Sequence, residues 1–508
     1  MKNRIYTTAS AVTALSIAER GLGFLYRIVL SRLLGAEGLG LYQVALSVFA
    51  LFLTLGTGGI PITVSRMISK SKAENNRRAE SGTVSAGLCL SLLLTLPFCI
   101  LFLLFGSNMR FLFSDERCIE IFKILLLGLV FSALYAVIRG SFWGNKQLLL
   151  PSILEIAEES VMVIAGILLL QNVASPLSGA KKAAWAVVIS YLFSFTASTL
   201  CFFFKGGKLS PPKKHLKPLF NATLPITSVR ASGSLVNSAI AVLLPVMLIR
   251  SGLSETEALK LFGVVSGMAI PVLSIPSTII GSISLVLVPE LSEDFYRKNY
   301  ERLRKNINYG LKASLFVACI LIPFFYALGD ELGKIAFANQ TAGELIQKSS
   351  LLLLPMSLTI ISTGLLNSLG FEKQTFVYYF ISAAALLLCI LFLPAFCGIY
   401  AYVIGLFVSY TLNAVFNLLY LRKKCPKTKK RAGQVRVQEI FLPILFILPL
   451  SLLGELIDAL FEPLFGAFTG VVATAFVLAL FTLCLYVIFR LLPVKNLFQK
   501  QKCGCFEK

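Results

Sequence analysis

The chain is dominated by long apolar stretches that short polar and basic segments separate. Most of these stretches reach the roughly 20 residues that a helix needs to cross the hydrocarbon of a bilayer. Backbone in contact with lipid must satisfy its own hydrogen bonds, so a spanning segment is either a helix or a strand of a closed barrel. The stretches are too long for barrel strands, and the pattern therefore predicts membrane-spanning helices.

The pattern predicts fourteen spans. They cover residues 6–34, 39–65, 82–105, 119–142, 148–171, 183–204, 219–249, 261–288, 307–328, 345–369, 374–394, 397–421, 438–458 and 465–490. The composition agrees, because 56% of the 508 residues are hydrophobic and only 14% are charged. The predicted fold class is an all-α integral membrane protein.

The order of features repeats once along the chain. Arg32 and Arg250 each end a span, a short polar turn follows, and the next span closes on a basic cluster. We therefore predict two pseudo-symmetric six-helix lobes plus two C-terminal helices. The predicted domains are 1–210, 211–425 and 426–508, the last holding spans 13 and 14 and a tail. Such a repeat is a common transporter plan, with the substrate site near the midplane where the repeats meet.

The distribution of positive charge decides what the net charge of +22 means. When alternate loops are assigned to the cytoplasm, that side holds 32 Lys and Arg residues and the other side holds 8. Cytoplasmic loops of membrane proteins carry this excess. We therefore predict a multi-pass protein of the cell (cytoplasmic) membrane with both termini inside. Its expected contacts are membrane lipids, and nucleic acid is not an expected partner.

Two spans carry polar side chains at steps of three and four residues, which places them on one helix face. In span 1 these are Thr13, Ser16, Arg20, Gly23, Arg27 and Ser31, and in span 7 they are Thr223, Thr227, Arg230, Ser234 and Asn237. Ionisable groups at membrane depth are costly and usually mark a transport path. We predict that Arg20, Arg27, Arg230 and Asn237 bind an anionic substrate. In the alternative, the small polar residues mediate helix packing and the arginines pair with glutamates.

Span 5 carries three carboxylates, Glu155, Glu158 and Glu159, at positions i, i+3 and i+4. This spacing places them on one face of the helix. They could carry a coupling proton, bind Na⁺ or neutralise an arginine, and the sequence leaves these three roles open.

Glycines and prolines interrupt two further spans. Gly58, Gly59 and Pro61 lie in span 2, while Pro271 and Pro276 lie in span 8. Such residues kink helices and free backbone groups at depth. They are candidate bending points for alternating access, or else tolerated kinks in a static bundle.

The sequence lacks the signatures of an enzyme. Its one histidine, His215, lies in the basic loop PPKKHLK, and its eleven cysteines have no metal-ligand spacing. No Ser/His/Asp set or phosphate-binding glycine loop is present. We therefore predict that the protein is not an enzyme and holds no metal or cofactor, although H⁺, Na⁺ or the membrane potential could drive it.

Four segments carry a family resemblance. YRIVLSRLLGAEGLGLYQ (26–43) with GTGGIPITVSRMISK (56–70) resembles the opening of the stage V sporulation protein B family of polysaccharide-biosynthesis membrane proteins. RGSFWGNKQLLLPSILEIAEE (139–159) and PELSEDFYRKNYERLRKNINYGLK (289–312) resemble later segments of that family. Its superfamily also contains lipid II flippases, O-antigen flippases and multidrug exporters.

The resemblance implies two six-helix lobes around a central cavity and the export of polyprenyl-diphosphate-linked saccharides, such as peptidoglycan precursors. Sporulation is suggested by the family name alone. Lipid II flippases resemble this chain at RGLGFLYR (20–27), which implies a cavity-lining role for Arg20. The counterpart of Arg27 lies one position away. The four arginines and four glutamates embedded in the spans balance in number, so composition does not establish a cationic cavity. The four arginines are Arg20, Arg27, Arg139 and Arg230, and the four glutamates are Glu19, Glu155, Glu158 and Glu159.

The favoured hypothesis is a flippase in which the arginines grip the diphosphate of a lipid-linked saccharide. Two alternatives remain. A cation-coupled multidrug exporter would use the glutamates of span 5 as its cation site, and a non-transporting scaffold would dock envelope-synthesis proteins on its basic loops.

Overall fold

The computed structural model describes residues 2–424 and 442–488, which form helices joined by short turns. In chain order the helices are α1 (Lys2–Thr57), α2 (Ile60–Ala73), α3 (Arg77–Phe105), α4 (Arg117–Gly144), α5 (Leu149–Leu169), α6 (Pro176–Phe204), α7 (Lys213–Arg250), α8 (Glu255–Val264), α9 (Ile270–Tyr296), α10 (Tyr300–Phe337), α11 (Gln340–Ser349), α12 (Leu353–Ser368), α13 (Glu372–Phe392), α14 (Pro394–Cys397), α15 (Tyr400–Lys424), α16 (Ile447–Phe465) and α17 (Ala467–Ile488). These two ranges contain no strand. Most of the predicted basic loop after α15 and the predicted C-terminal tail lie outside the described residues.

Twelve segments of the described chain are long and apolar enough to cross a membrane. One of them, Ala11–Ala73, contains both of the first two predicted spans. Helix α5 is not among the twelve, because its three glutamates interrupt an otherwise apolar sequence. The described helices thus correspond to the fourteen predicted spans, and the prediction of an all-α, multi-pass membrane protein is confirmed.

Helix α1 contains a turn. Its 56 residues would extend about 84 Å as a straight helix, far more than the roughly 30 Å of hydrocarbon in a bilayer. The helical geometry is broken at Gly35, where φ is 65° and ψ is 179°. A positive φ suits glycine because it has no β-carbon. Gly35 therefore separates the first two predicted spans, in the short polar turn predicted after Arg32.

Ion pairs fix the chain close to this turn. The Arg117 guanidinium at the start of α4 contacts Glu37 at 2.8 Å and Asp115 at 2.9 Å. Glu37 follows Gly35 by two residues, so this network connects the turn of α1 to α4.

The described chain separates into two compact units, 1–267 and 268–508. In the first unit, Ile60 and Val64 of α2 pack with Val84 of α3 and with Val137 and Phe142 of α4. Close packing of this kind holds helices together in lipid, where burial of apolar surface gives little driving force. The predicted lobe boundary at 210 stays a prediction.

The second unit has its own core. Ile280 and Leu287 of α9 pack with Leu303 and Ile307 of α10 and with Ile361 of α12. The side-chain Nδ2 of buried Asn417 on α15 lies within hydrogen-bond distance of the side chains of Asn413 and of Ser362 and Thr363 on α12, so its two N–H donors add a polar connection between the helices.

The second half of α1 meets α8 at two glycines of the first unit. A β-carbon on Gly40 would lie 2.2 Å from the carbonyl oxygen of Leu259, and one on Gly263 would lie 2.3 Å from that of Ala36. The backbones of the two helices therefore touch, a contact that small residues make possible in membrane bundles.

Candidate functional site

The polar face of α1 packs against the glutamate face of α5. A β-carbon on Gly23 would lie 2.8 Å from Oε1 of Glu159, and one on Gly166 of α5 would lie 2.2 Å from the hydroxyl oxygen of Tyr26. Both glycines leave space for a large side chain of the facing helix. The stripe predicted on span 1 and the carboxylates predicted on span 5 are therefore brought together.

The three carboxylates of α5 reach three different helices. Glu155 accepts a hydrogen bond of 3.0 Å from Nη1 of Arg139 on α4. Glu158 accepts one from the hydroxyl of Ser194 on α6, and Glu159 lies against Gly23 of α1. One helix face thus anchors α5 to α4, α6 and α1.

Arg139 also lies in this candidate site, through its contact with Glu155, although its position in the sequence did not predict a role for it. Its guanidinium lies over the rings of Tyr135 and Trp143, at 5.5 Å and 5.2 Å from their centroids. Cations bind over aromatic faces in this way. The signal in the sequence was the spacing of Tyr135, Arg139 and Trp143, four residues apart on α4, which places both rings beside the arginine.

Arg20 and Arg27 are both exposed on α1, so neither is buried in the packed core of the first unit. Arg27 lies within electrostatic range of Glu159, yet among the described residues no carboxylate lies within 4.0 Å of it. Arg20 has an electrostatic interaction with its neighbour Glu19. A charged side chain at membrane depth is expected to face a protein interior or a wet cavity rather than lipid.

The polar stripe of α7 divides into packing residues and exposed residues. Thr227 Oγ1 accepts a 3.0 Å hydrogen bond from the backbone N–H of Gly59, and the hydroxyl of Ser234 lies 2.8 Å from that of Thr54. Thr223 is also buried, with its carbonyl oxygen beside Gly59. This part of the stripe packs α7 against α1 and the α1–α2 junction, as the packing interpretation expected.

The remaining two members of that stripe, Arg230 and Asn237, are exposed. In the described part of the chain, no carboxylate lies within 4.0 Å of Arg230. Arg230 therefore lies on the same helix as residues that pack against α1, but no salt bridge among the described residues neutralises its charge.

The predicted bending residues lie at breaks in the helices. Gly58 and Gly59 separate α1 from α2, and Pro61 lies in the first turn of α2. Pro271 lies in the first turn of α9, directly after the π-helical segment Val265–Ala269.

Pro276 is buried further along α9. The division between the two compact units falls within the π-helical segment. Motion at these positions stays a prediction.

Comparison with known proteins shows the family to which this chain belongs. A family model described as "Polysaccharide biosynthesis protein" matches residues 6–295, the segment from α1 to the end of α9 that contains every candidate site residue. The chain belongs to this family. The resemblance inferred from the sequence motifs is thereby confirmed.

Two proteins of Bacillus subtilis (strain 168) are similar in sequence to this chain. Stage V sporulation protein B is 27% identical over 348 residues, which cover 66% of this chain and 67% of that protein. The lipid II flippase MurJ is 22% identical over 350 residues, covering 64% and 63%.

A solved structure of the lipid II flippase MurJ in an inward closed conformation superposes with a TM-score of 0.71. That alignment covers 94% of this chain and 98% of the other at 15% sequence identity. This likeness is one of fold.

Proposed function

We propose that the protein is a flippase that moves polyprenyl-diphosphate-linked saccharides across the cytoplasmic membrane by alternating access. Such a headgroup cannot cross lipid unaided, because each unpaired polar group costs several kcal/mol and each bare charge costs far more. The names of the relatives, which include a lipid II flippase, support a lipid-linked saccharide as the substrate class.

One observation carries the proposal. The α5 carboxylates contact α4, α6 and α1, while Arg27 and Arg230 have no carboxylate within 4.0 Å among the described residues. Arginine binds phosphate oxygens through charge-assisted, often bidentate hydrogen bonds. These two arginines, together with Arg20, would grip the diphosphate while the polyprenyl chain stays in lipid.

The membrane potential favours the direction of export. Outward movement of a negative charge from an inside-negative cell gains about 2.3 kcal/mol per 100 mV. At a membrane potential of about 100 mV, the outward movement of a diphosphate with two negative charges therefore gains roughly 4 to 5 kcal/mol. Coupling to a second ion is then not required for net export.

The test is translocation of a fluorescent polyprenyl-diphosphate-linked saccharide by the full-length protein in liposomes. Arg230→Gln should lower the rate at least about tenfold, the effect of losing one charge-assisted contact of roughly 1.5 to 3 kcal/mol. Arg250→Gln is the matched control, because Arg250 is also exposed on α7 but lies at its end. Equal rates for the two variants would contradict the diphosphate grip, and no transport by the wild type would favour the scaffold hypothesis.

A cation-coupled multidrug exporter is the second candidate, and the glutamates favour it. Glu158 and Glu159 are not paired with an arginine among the described residues, so either could bind H⁺ or Na⁺. Drug efflux driven by a proton or sodium gradient, and lost in Glu158→Gln or Glu159→Gln, would support this function over the first.

A further inference from the structure

The first unit contains a cavity of about 570 Å³ that is separate from the candidate site. It lies where α2 gives way to α3 and where α4 and α6 end. Its apolar wall includes Ile68, Val84, Phe142 and Phe202. None of the arginines or glutamates assigned to substrate or ion binding lines it. This is the end of the helices that the positive-inside pattern assigns to the cytoplasm.

The charged lining of this cavity is mostly positive. Arg77 and Arg78 of α3 and Lys205 and Lys208 of the α6–α7 loop line it, against one carboxylate, Glu80. All four cationic side chains are exposed. Within residues 2–424 and 442–488, no carboxylate lies within 4.0 Å of any of the four. The cavity therefore offers a net positive charge to an anion.

A side-chain amide positions one of the cationic groups at the cavity wall. The Lys205 ammonium donates a 3.0 Å hydrogen bond to Oε1 of Gln147, which also lines the cavity, and lies 5.9 Å from the ring centroid of Phe142. An ammonium has three N–H donors, so Lys205 keeps donors for a ligand.

Large apolar side chains adjoin residues that line the cavity, and the ring centroid of Phe203 lies 5.4 Å from that of Phe202. Phe203 and Phe204 end α6 beside Lys205 and are 51% and 87% exposed, and Leu209, which lines the cavity, is 51% exposed. These three exposed apolar residues, called the apolar edge here, lie close in the chain to the basic lining and suit a ligand that has both an anionic group and hydrocarbon chains. A small soluble anion would use the charges but not this apolar edge.

We propose that this cavity binds the phosphate headgroup of an anionic phospholipid, whose acyl chains lie along Phe203, Phe204 and Leu209. The chemistry recognised is the phosphate, and the apolar edge assigns its source to the bilayer rather than to a free phosphate. Anionic lipids of the cytoplasmic leaflet attract basic groups at this depth by about 1 kcal/mol each. The bound lipid would be held by the first unit alone.

The test is native mass spectrometry of the full-length protein in a neutral detergent, titrated with phosphatidylglycerol. Phosphatidylcholine with the same acyl chains is the lipid control, and inorganic pyrophosphate is the soluble-phosphate probe. The wild type should retain phosphatidylglycerol in preference to both. Lys205→Gln/Lys208→Gln should weaken that binding about fivefold for each charge removed, and Glu80→Gln should strengthen it.

Lys213→Gln/Lys214→Gln is the matched control, since both lysines are exposed nearby at the start of α7 and neither lines the cavity. It removes the same charge and should leave binding unchanged. If the Lys205/Lys208 variant does not fold, Arg77→Gln/Arg78→Gln replaces it with the same expected loss. Equal weakening by both lysine pairs, equal binding of phosphatidylcholine, or binding of pyrophosphate in place of the lipid would overturn the proposal.

Discussion

The ion pair between Arg139 and Glu155 provides the sharpest test of what the glutamates of α5 do. The two side chains lie 3.0 Å apart and are 29% and 22% exposed. The Arg139 guanidinium is held between Tyr135 and Trp143, and its buried Nε has no hydrogen-bond partner among the described residues. Substituting Glu155→Gln would remove the carboxylate that contacts this half-buried cation and leave only the more distant Glu19 and Glu158 within its electrostatic range.

The expected cost follows from the exposure of the pair. Removing one partner of a fully buried pair costs about 3 to 5 kcal/mol, while an exposed pair contributes about 1 kcal/mol or less. Because roughly a quarter of each side chain is exposed, we expect Glu155→Gln to lower the free energy of unfolding by about 2 kcal/mol. Arg139→Gln/Glu155→Gln should recover part of this loss, because neither charge is then left unpaired.

The assay is a double-mutant cycle measured by reversible unfolding in mixed micelles. Glu158→Gln combined with Arg139→Gln is the control, because Glu158 bonds to Ser194 and interacts with Arg139 only at longer range, without a salt bridge. We expect a coupling energy of about 1 to 2 kcal/mol for Arg139 with Glu155 and a much smaller one for the control. A coupling near zero for the first pair, together with lost ion dependence of transport in Glu155→Gln, would refute the structural role of Glu155.

Three further predictions concern helix contacts and bending. Gly59→Ala should lower the free energy of unfolding by about 1 to 3 kcal/mol, because its β-carbon would lie 2.6 Å from a backbone oxygen of α7. Gly21→Ala is the control and should leave the free energy of unfolding unchanged, because a β-carbon there would have nothing within 4 Å. Equal stabilities of the two variants would contradict the close approach of Gly59 to α7. Thr54→Val should lower the free energy of unfolding by about 0.6 kcal/mol, because it removes the hydrogen bond to Ser234. Adding Ser234→Ala to that variant should lower the free energy of unfolding little further in the same assay. Additive losses would show that the two hydroxyls act separately. Pro271→Ala should slow translocation in liposomes while the unfolding free energy stays close to that of the wild type, and an unchanged rate would argue against bending there.

The hydropathy pattern was sufficient to predict the class of fold. An apolar segment of about 20 residues in lipid must satisfy its own backbone hydrogen bonds, and a helix does this within the segment. The prediction therefore needs no knowledge of tertiary contacts. The same holds for Gly35, because a glycine between two apolar runs predicts a turn before any tertiary contact is known. Helical periodicity likewise placed Glu155, Glu158 and Glu159 on one face of α5, since i, i+3 and i+4 share a face in any helix.

The sequence could not assign partners to that face. Glu155 meets Arg139, Glu158 meets Ser194 and Glu159 meets Gly23, and each of these contacts depends on how helices distant in sequence pack. For the same reason the sequence predicted a substrate surface on the polar stripe of α7 but left a packing surface as the alternative.

The sequence by itself determined the spans, the turn at Gly35 and the shared faces, because these follow from chain geometry over a few residues. Only the tertiary structure decided that Thr227 and Ser234 face α1 and the α1–α2 junction while Arg230 remains exposed. The physical reason is that a helix face has several neighbours available to it. Which of them it meets is set by the packing of the whole bundle, where close contacts such as that of Gly59 with α7 fix the choice.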